Sequence, residues 1–167
     1  TGVQTCALPI LRVDAHAHAM VQEMAERIRD QGVRPELSAY NDAMLQGALG
    51  LIERGAVLAP ACFGLILKEP ADMAQGAQHL IHLAQSLPAQ SQWWFAKGGR
   101  HGLGLRSLAT ELGGHVRVGF EDDVQDFGHT QLAPSNAHLV ERMAQLCRVL
   151  GRSVATPSQA RAAIQAP

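Results

Sequence analysis

The chain has 167 residues, 47% apolar and 17% charged, a net charge of −1 and a pI near 6.7. That length suggests one domain with apolar material for a sizeable core. The balanced charge gives no basic excess for nucleic acid and no polybasic run for a membrane surface. Three cysteines, Cys6, Cys62 and Cys147, follow no disulfide or zinc-cysteine pattern, which fits a reducing, cytoplasmic setting.

Residues Thr1–Ile10, TGVQTCALPI, back-translate to a short-read sequencing adapter read in frame. They are set aside as an adapter-derived artefact, expected to pack against nothing specific, which leaves 11–167 as the folded part. The alternative is a natural, mildly apolar N-terminus.

Met20, Val21, Met24, Ala25 and Ile28 follow helical spacing, with Gly32 as a stop. Pro35–Tyr40 then reads as a short strand, with Glu36, Ser38 and Tyr40 on one face. Asn41 can cap a helix whose apolar face is Met44, Leu45, Ala48, Leu49 and Ile52. Ala61–Leu67 is a continuous apolar run, typical of a strand buried on both faces. A helical stripe from Met73 to Leu87 stops at Pro88, and Trp93–Gly98 is the third strand. Leu105, Leu108, Ala109 and Leu112 mark a helix before Gly113 and Gly114.

His115–Asp122, HVRVGFED, reads as the fourth strand. Val116, Val118 and Phe120 would share an apolar face; His115, Arg117, Gly119 and Glu121 the other, with Asp122 at the exit into a loop. An arginine and two carboxylates so placed suggest either an active site or a surface salt-bridge face. Leu139 to Leu150 forms a long helical stripe, and Thr156, Pro157 and Gln159 open a last helix with a capping box.

Strands and helices thus alternate with short connections, the pattern of parallel βαβ units. A complete (β/α)8 barrel needs about 250 residues. A small open α/β sheet is the alternative, but no Gly-rich phosphate loop gives it a nucleotide role.

The chain is similar to the β-keto acid cleavage enzymes, whose founding activity is 3-keto-5-aminohexanoate cleavage in lysine degradation. HVRVGFED resembles their last barrel strand. LAPSNAHLVERMAQL (Leu132–Leu146), LGRSVATPSQAR (Leu150–Arg161), GVRPELSAYN (Gly32–Asn41) and KGGRHGLGL (Lys97–Leu105) follow in family order and spacing. The resemblance implies an α/β fold that is the C-terminal half of a (β/α)8 TIM barrel, strands five to eight with their helices.

It also implies a zinc-dependent acyl exchange: a β-keto acid and acetyl-CoA give acetoacetate and a new acyl-CoA. By resemblance Glu121 is a zinc ligand, Asp122 the catalytic base, and Arg117 the group that orients Asp122 or binds the substrate carboxylate. Glu36 would point into the barrel near substrate, or pair an interior arginine. Arg100 is a candidate for the anionic cofactor or substrate, or a plain loop residue. Lys68 and Lys97 also lie near strand ends, and KEPAD (Lys68–Asp72) stands where many relatives are richer in glycine. The family's His-x-His metal pair lies on an early strand that is missing here. The fragment would therefore be inactive alone, and a full-length protein is expected to be a homo-oligomer. His16-Ala17-His18 imitates the His-x-His spacing in the wrong place. An amidohydrolase-type hydrolase using His16 and His18, or a non-catalytic truncated module, are the rival readings.

Overall fold

The computed structural model describes residues 6–9, 15–127 and 130–165. Five parallel strands lie in sequential order: β1 (Cys6–Pro9), β2 (Pro35–Ala39), β3 (Cys62–Leu67), β4 (Gln92–Lys97) and β5 (His115–Val116). Helices α1 (Ala15–Asp30), α2 (Asp42–Glu53), α3 (Met73–Gln85) and α4 (Gly102–Glu111) connect them, and α5 (Asn136–Val149) and α6 (Pro157–Gln165) follow β5.

Residue alternation divides the sheet into two faces. Leu37, Ala39, Phe63, Leu65, Leu67, Trp93 and Phe95 all join one core with residues of α1 to α4, so these four helices cover one face. Glu36 and Ser38 of β2, with Tyr40 just beyond it, lie on the opposite parity, as do Cys62, Gly64 and Ile66 of β3 and Trp94 and Ala96 of β4. A doubly wound sheet reverses its strand order and puts helices on both faces. Sequential order with helices on one face is the arrangement of a partial TIM-barrel-like fold.

Local signals agree with this layout. The side chain of Asn41 accepts from Met44 N at 3.0 Å, as its capping position demands. At α6 the capping box is reciprocal: Gln159 N donates to Thr156 Oγ1 at 3.3 Å and Thr156 N donates to Gln159 Oε1 at 2.9 Å.

Two expectations fail. Thr1–Ile10 is expected to pack against nothing specific, yet Cys6–Pro9 pairs in parallel with β2, Leu8 in register with Leu37. The open edge of β2 offers a row of unpaired backbone groups, and edge pairing is made by backbone, whatever the side chains. The other residues of that segment lie outside the described ones. The HVRVGFED strand is also far shorter than its alternation suggests. After Val116 only Arg117 N continues the ladder, donating to Phe95 O at 2.9 Å. Gly119 O then accepts from both Asp122 N and Asp123 N at 2.9 Å, closing a turn. The neighbouring β4 ends at Lys97, whose φ of 72° turns the chain away and leaves β5 little to pair with.

His16 and His18 fall in the first turns of α1 rather than at a strand end. The amidohydrolase reading requires them at the end of a strand. No helix among the described residues is long and apolar enough to cross a membrane.

Candidate active site

Just past the C-terminal end of β5 lie Arg117, Glu121 and Asp122, whereas Glu36 stands near the start of β2, in register with Cys62 and Gln92. Between them is Trp94, in the middle of β4, which the sequence presents as one more apolar strand residue. Gly64, beside it on β3, makes the room: a Cβ there would stand 2.4 Å from the indole. On the indole, Arg117 stacks with its guanidinium carbon 4.6 Å from the ring centroid. Trp94 also hydrogen-bonds the Glu36 side chain from across the sheet.

Arg117 meets Asp122 as a fork. Nε donates to Oδ2 at 2.9 Å and the terminal nitrogen donates to Oδ1 at 2.6 Å. The turn closed by Gly119 creates this geometry, because it folds Asp122 back toward the strand. The Asp122 side chain is only 2% exposed. Glu121 instead projects outward, 83% exposed, with its carboxylate 4.0 Å from Arg117. Its backbone carbonyl accepts from Lys97 Nζ at 3.4 Å.

Electrostatics separate the two ends of this row. Burial raises the pKa of Glu36, and the Trp94 hydrogen bond and the Arg117 charge only partly oppose it. Burial, helped by the Glu36 charge, pushes the Cys62 thiol up to about 11. Cys62 is therefore a protonated, inert neighbour. Burial works against the charge on Arg117, but its hydrogen bonds to Asp122 and the charges of Asp122, Glu121 and Glu36 outweigh it, and its pKa is raised. The result is a firmly cationic fork at one end and, across Trp94, Glu36, which burial leaves easier to protonate.

The remaining candidates are placed differently. Arg100 lies in the 3-10 turn after β4, where it donates to Ala71 O at 3.2 Å and so ties two loops together. The Lys68 ammonium sits 5.5 Å over the Tyr40 ring at the mouth of the sheet. Further along the β5–α5 loop, Asp126 gathers the Phe127 backbone N–H at 2.7 Å, His138 at 3.3 Å and Arg142 at 3.9 Å. The Phe127 hydrogen bond is the main cause that lowers its pKa. His138 thus has a carboxylate partner, where its place in the sequence suggests only a solvated helix face.

The resemblance implies a zinc ion, which would need its ligands among these side chains. No group of three or more His, Cys, Asp or Glu among the described residues could hold a metal. Catalytic zinc takes three protein ligands. The described residues therefore do not fit a complete zinc site, and Glu121 offers one exposed carboxylate.

A match to the beta-keto acid cleavage enzyme family spans residues 10–165. The chain belongs to the beta-keto acid cleavage enzyme family. It is 37% identical over 142 residues to a 3-keto-5-aminohexanoate cleavage enzyme of Fusobacterium nucleatum, covering 84% of this chain and 51% of the relative. It is 31% identical over 157 residues to the enzyme of that name from Acetoanaerobium sticklandii, covering 94% and 57%. A 3-oxoadipate:acetyl-CoA acetyltransferase of Cupriavidus necator is 34% identical over 152 residues, covering 89% and 53%. The chain spans about half the length of these relatives. The family match leaves residues 1–9, and so all of β1, outside it.

Proposed function

We propose that this chain supplies strands five to eight of a (β/α)8 barrel that exchanges acyl groups between a β-keto acid and acetyl-CoA, giving acetoacetate and a new acyl-CoA. Residues 11–167 form the partial barrel in this reading, and Thr1–Ile10 are foreign to it. The observation that carries the proposal is the Arg117–Asp122 fork on Trp94 at the C-terminal edge, where barrels of this kind place their chemistry. Relatives named for 3-oxoadipate and for 3-dehydrocarnitine both carry acetyl-CoA in their names and differ in the keto acid. The shared half of the reaction is what transfers here.

The carbon between a keto group and a carboxylate is acidified by the keto carbonyl, whose oxygen takes up the electron pair as an enolate when the proton leaves. Asp122 takes its proton, and Arg117 sets the direction of the carboxylate that does so. The guanidinium edge that Asp122 does not use can donate bidentately to the substrate carboxylate. Glu36, across Trp94 on the same face of the sheet, stands near the substrate. Zinc dependence enters only through Glu121, as one ligand whose partners come from outside these residues, and no step is assigned to it. The free thiols Cys62 and Cys147 suit a reducing cytoplasm.

The test joins this chain to the N-terminal half of a relative and measures acetyl-CoA-dependent acetoacetate formation. The chain alone should be inactive and the completed barrel active. In the completed barrel Asp122→Asn should lower turnover by roughly two to four orders of magnitude, the usual range for a general acid–base group. Undiminished turnover in that variant would remove Asp122 as the base.

A further inference from the structure

A second arginine lies beneath the same loop. Arg106 of α4 is 1% exposed, the largest side chain among those that are fully buried. Its guanidinium carbon sits 5.0 Å from the centroid of Phe127, a residue of the β5–α5 loop. The helix is built to admit it: a Cβ on Gly102, one turn earlier, would stand 2.8 Å from the Arg106 Nη1. That contact gives part of the KGGRHGLGL motif a physical purpose, since the first glycine of GLGLR leaves space for the arginine four residues on. Arg106 Nε has no hydrogen-bond partner in the structure. Removing a guanidinium from water without full compensation is costly, so a fold that keeps one here gains something other than packing.

The charges that act on it identify the gain. Burial lowers the pKa of Arg106, and the carboxylates that oppose this are Asp123 first and Asp122 second. Arg117 bonds Asp122 directly, while Arg106, buried in α4 against Phe127 of the same loop, acts on Asp123 and Asp122 through its charge. Asp123 Oδ1 also accepts from Gln125 N at 3.0 Å, which fixes the chain just past the turn.

We propose that Arg106 is a positioning residue: buried on Phe127 beneath the loop, it holds the Asp122–Asp123 segment so that Asp122 presents both oxygens to Arg117. The catalytic meaning of this rests on the function proposed above, but the geometry can be measured without turnover. The hydrogen-bonded Nε–H of Arg117 should exchange slowly with solvent, roughly tenfold or more below an exposed arginine such as Arg27. In Arg106→Met that protection should largely disappear while unfolding remains cooperative. Arg106→Lys keeps the charge but not the planar stack, and should show an intermediate loss. Leu80→Ala, a truncation in the main core, should lower the melting temperature and leave Arg117 protected, which separates positioning from general destabilisation.

Wild-type protection of Arg117 in a folded Arg106→Met protein would overturn the proposal. Should that variant not fold, Arg106→Lys decides: reduced protection supports positioning, and wild-type protection overturns it. A completed barrel that makes no acetoacetate, beside an Arg117 signal that still depends on Arg106, would fail the proposed function and leave this inference standing.

Discussion

The two faces of the sheet are made by the same strands and share almost nothing chemically. Toward the helices, β2 to β4 present Leu37, Ala39, Phe63, Leu65, Leu67 and Phe95, all buried and all apolar. On the other face the intervening residues include Glu36, Ser38, Cys62, Gly64 and Trp94. One face is organised by volume. The other is organised around a single indole, with a carboxylate on one side and a guanidinium on its ring. Strand alternation thus lets a short segment be scaffold and site together, and substitutions one residue apart should fail in different ways.

The largest effect should come from the scaffold face. Phe63→Ala removes a fully buried ring from the main core and should cost about 3–5 kcal/mol. Chemical denaturation would show it as a large fall in midpoint, and a loss below about 1 kcal/mol would mean that the helix layer is not the principal core. Its neighbour Gly64→Ala adds volume on the other face, into the Trp94 ring. It should cost about 1–3 kcal/mol and displace the indole. Tryptophan fluorescence should change with it, and an unaltered spectrum would show that Trp94 does not lie across Gly64.

The smallest effect, and the one with a pH signature, is Glu36→Gln. Burial raises the folded-state pKa of Glu36 above its ordinary value of 4.5, so the native state prefers the protonated acid. The penalty is absent below the unfolded pKa and grows as pH rises through the folded one. Glu36→Gln should therefore melt higher than the parent at neutral pH, with the difference shrinking as pH falls toward 4.5 and gone below it. A difference independent of pH, or one that widened in acid, would show that the carboxylate is not desolvated. Gain of stability with loss of activity in the completed barrel would mark Glu36 as part of the site.

What could be read in the sequence depended on whether the signal was local. The helix faces, the Asn41 cap, the α6 capping box and the alternation of β2 depend on neighbours in the chain, and each stands in the structure. The resemblance of HVRVGFED to a barrel strand brought attention to Arg117 and Asp122, which do meet. The strand itself is two residues long, because its length depends on where β4 ends. Trp94 went unremarked because nothing beside it in sequence shows that Gly64 has cleared a space. Arg106 was missed for a related reason: on a helix an arginine reads as solvent-facing, and its burial depends on Gly102 and Phe127 together. Both are pairings across elements, and an apolar periodicity carries no information about them.

The sequential strand order has a consequence for how this chain acquires its structure. Every ladder joins a strand to the next one along, so each pairing closes a loop of only one helix and its turns. Loop-closure entropy grows slowly with length, so each such step costs less than a pairing between the two ends of the chain. Structure can therefore spread from β3 in either direction, one strand and one helix at a time, while the polypeptide is still being made. Evolution could lengthen or shorten such an array by whole βα units without redrawing the pairings already present.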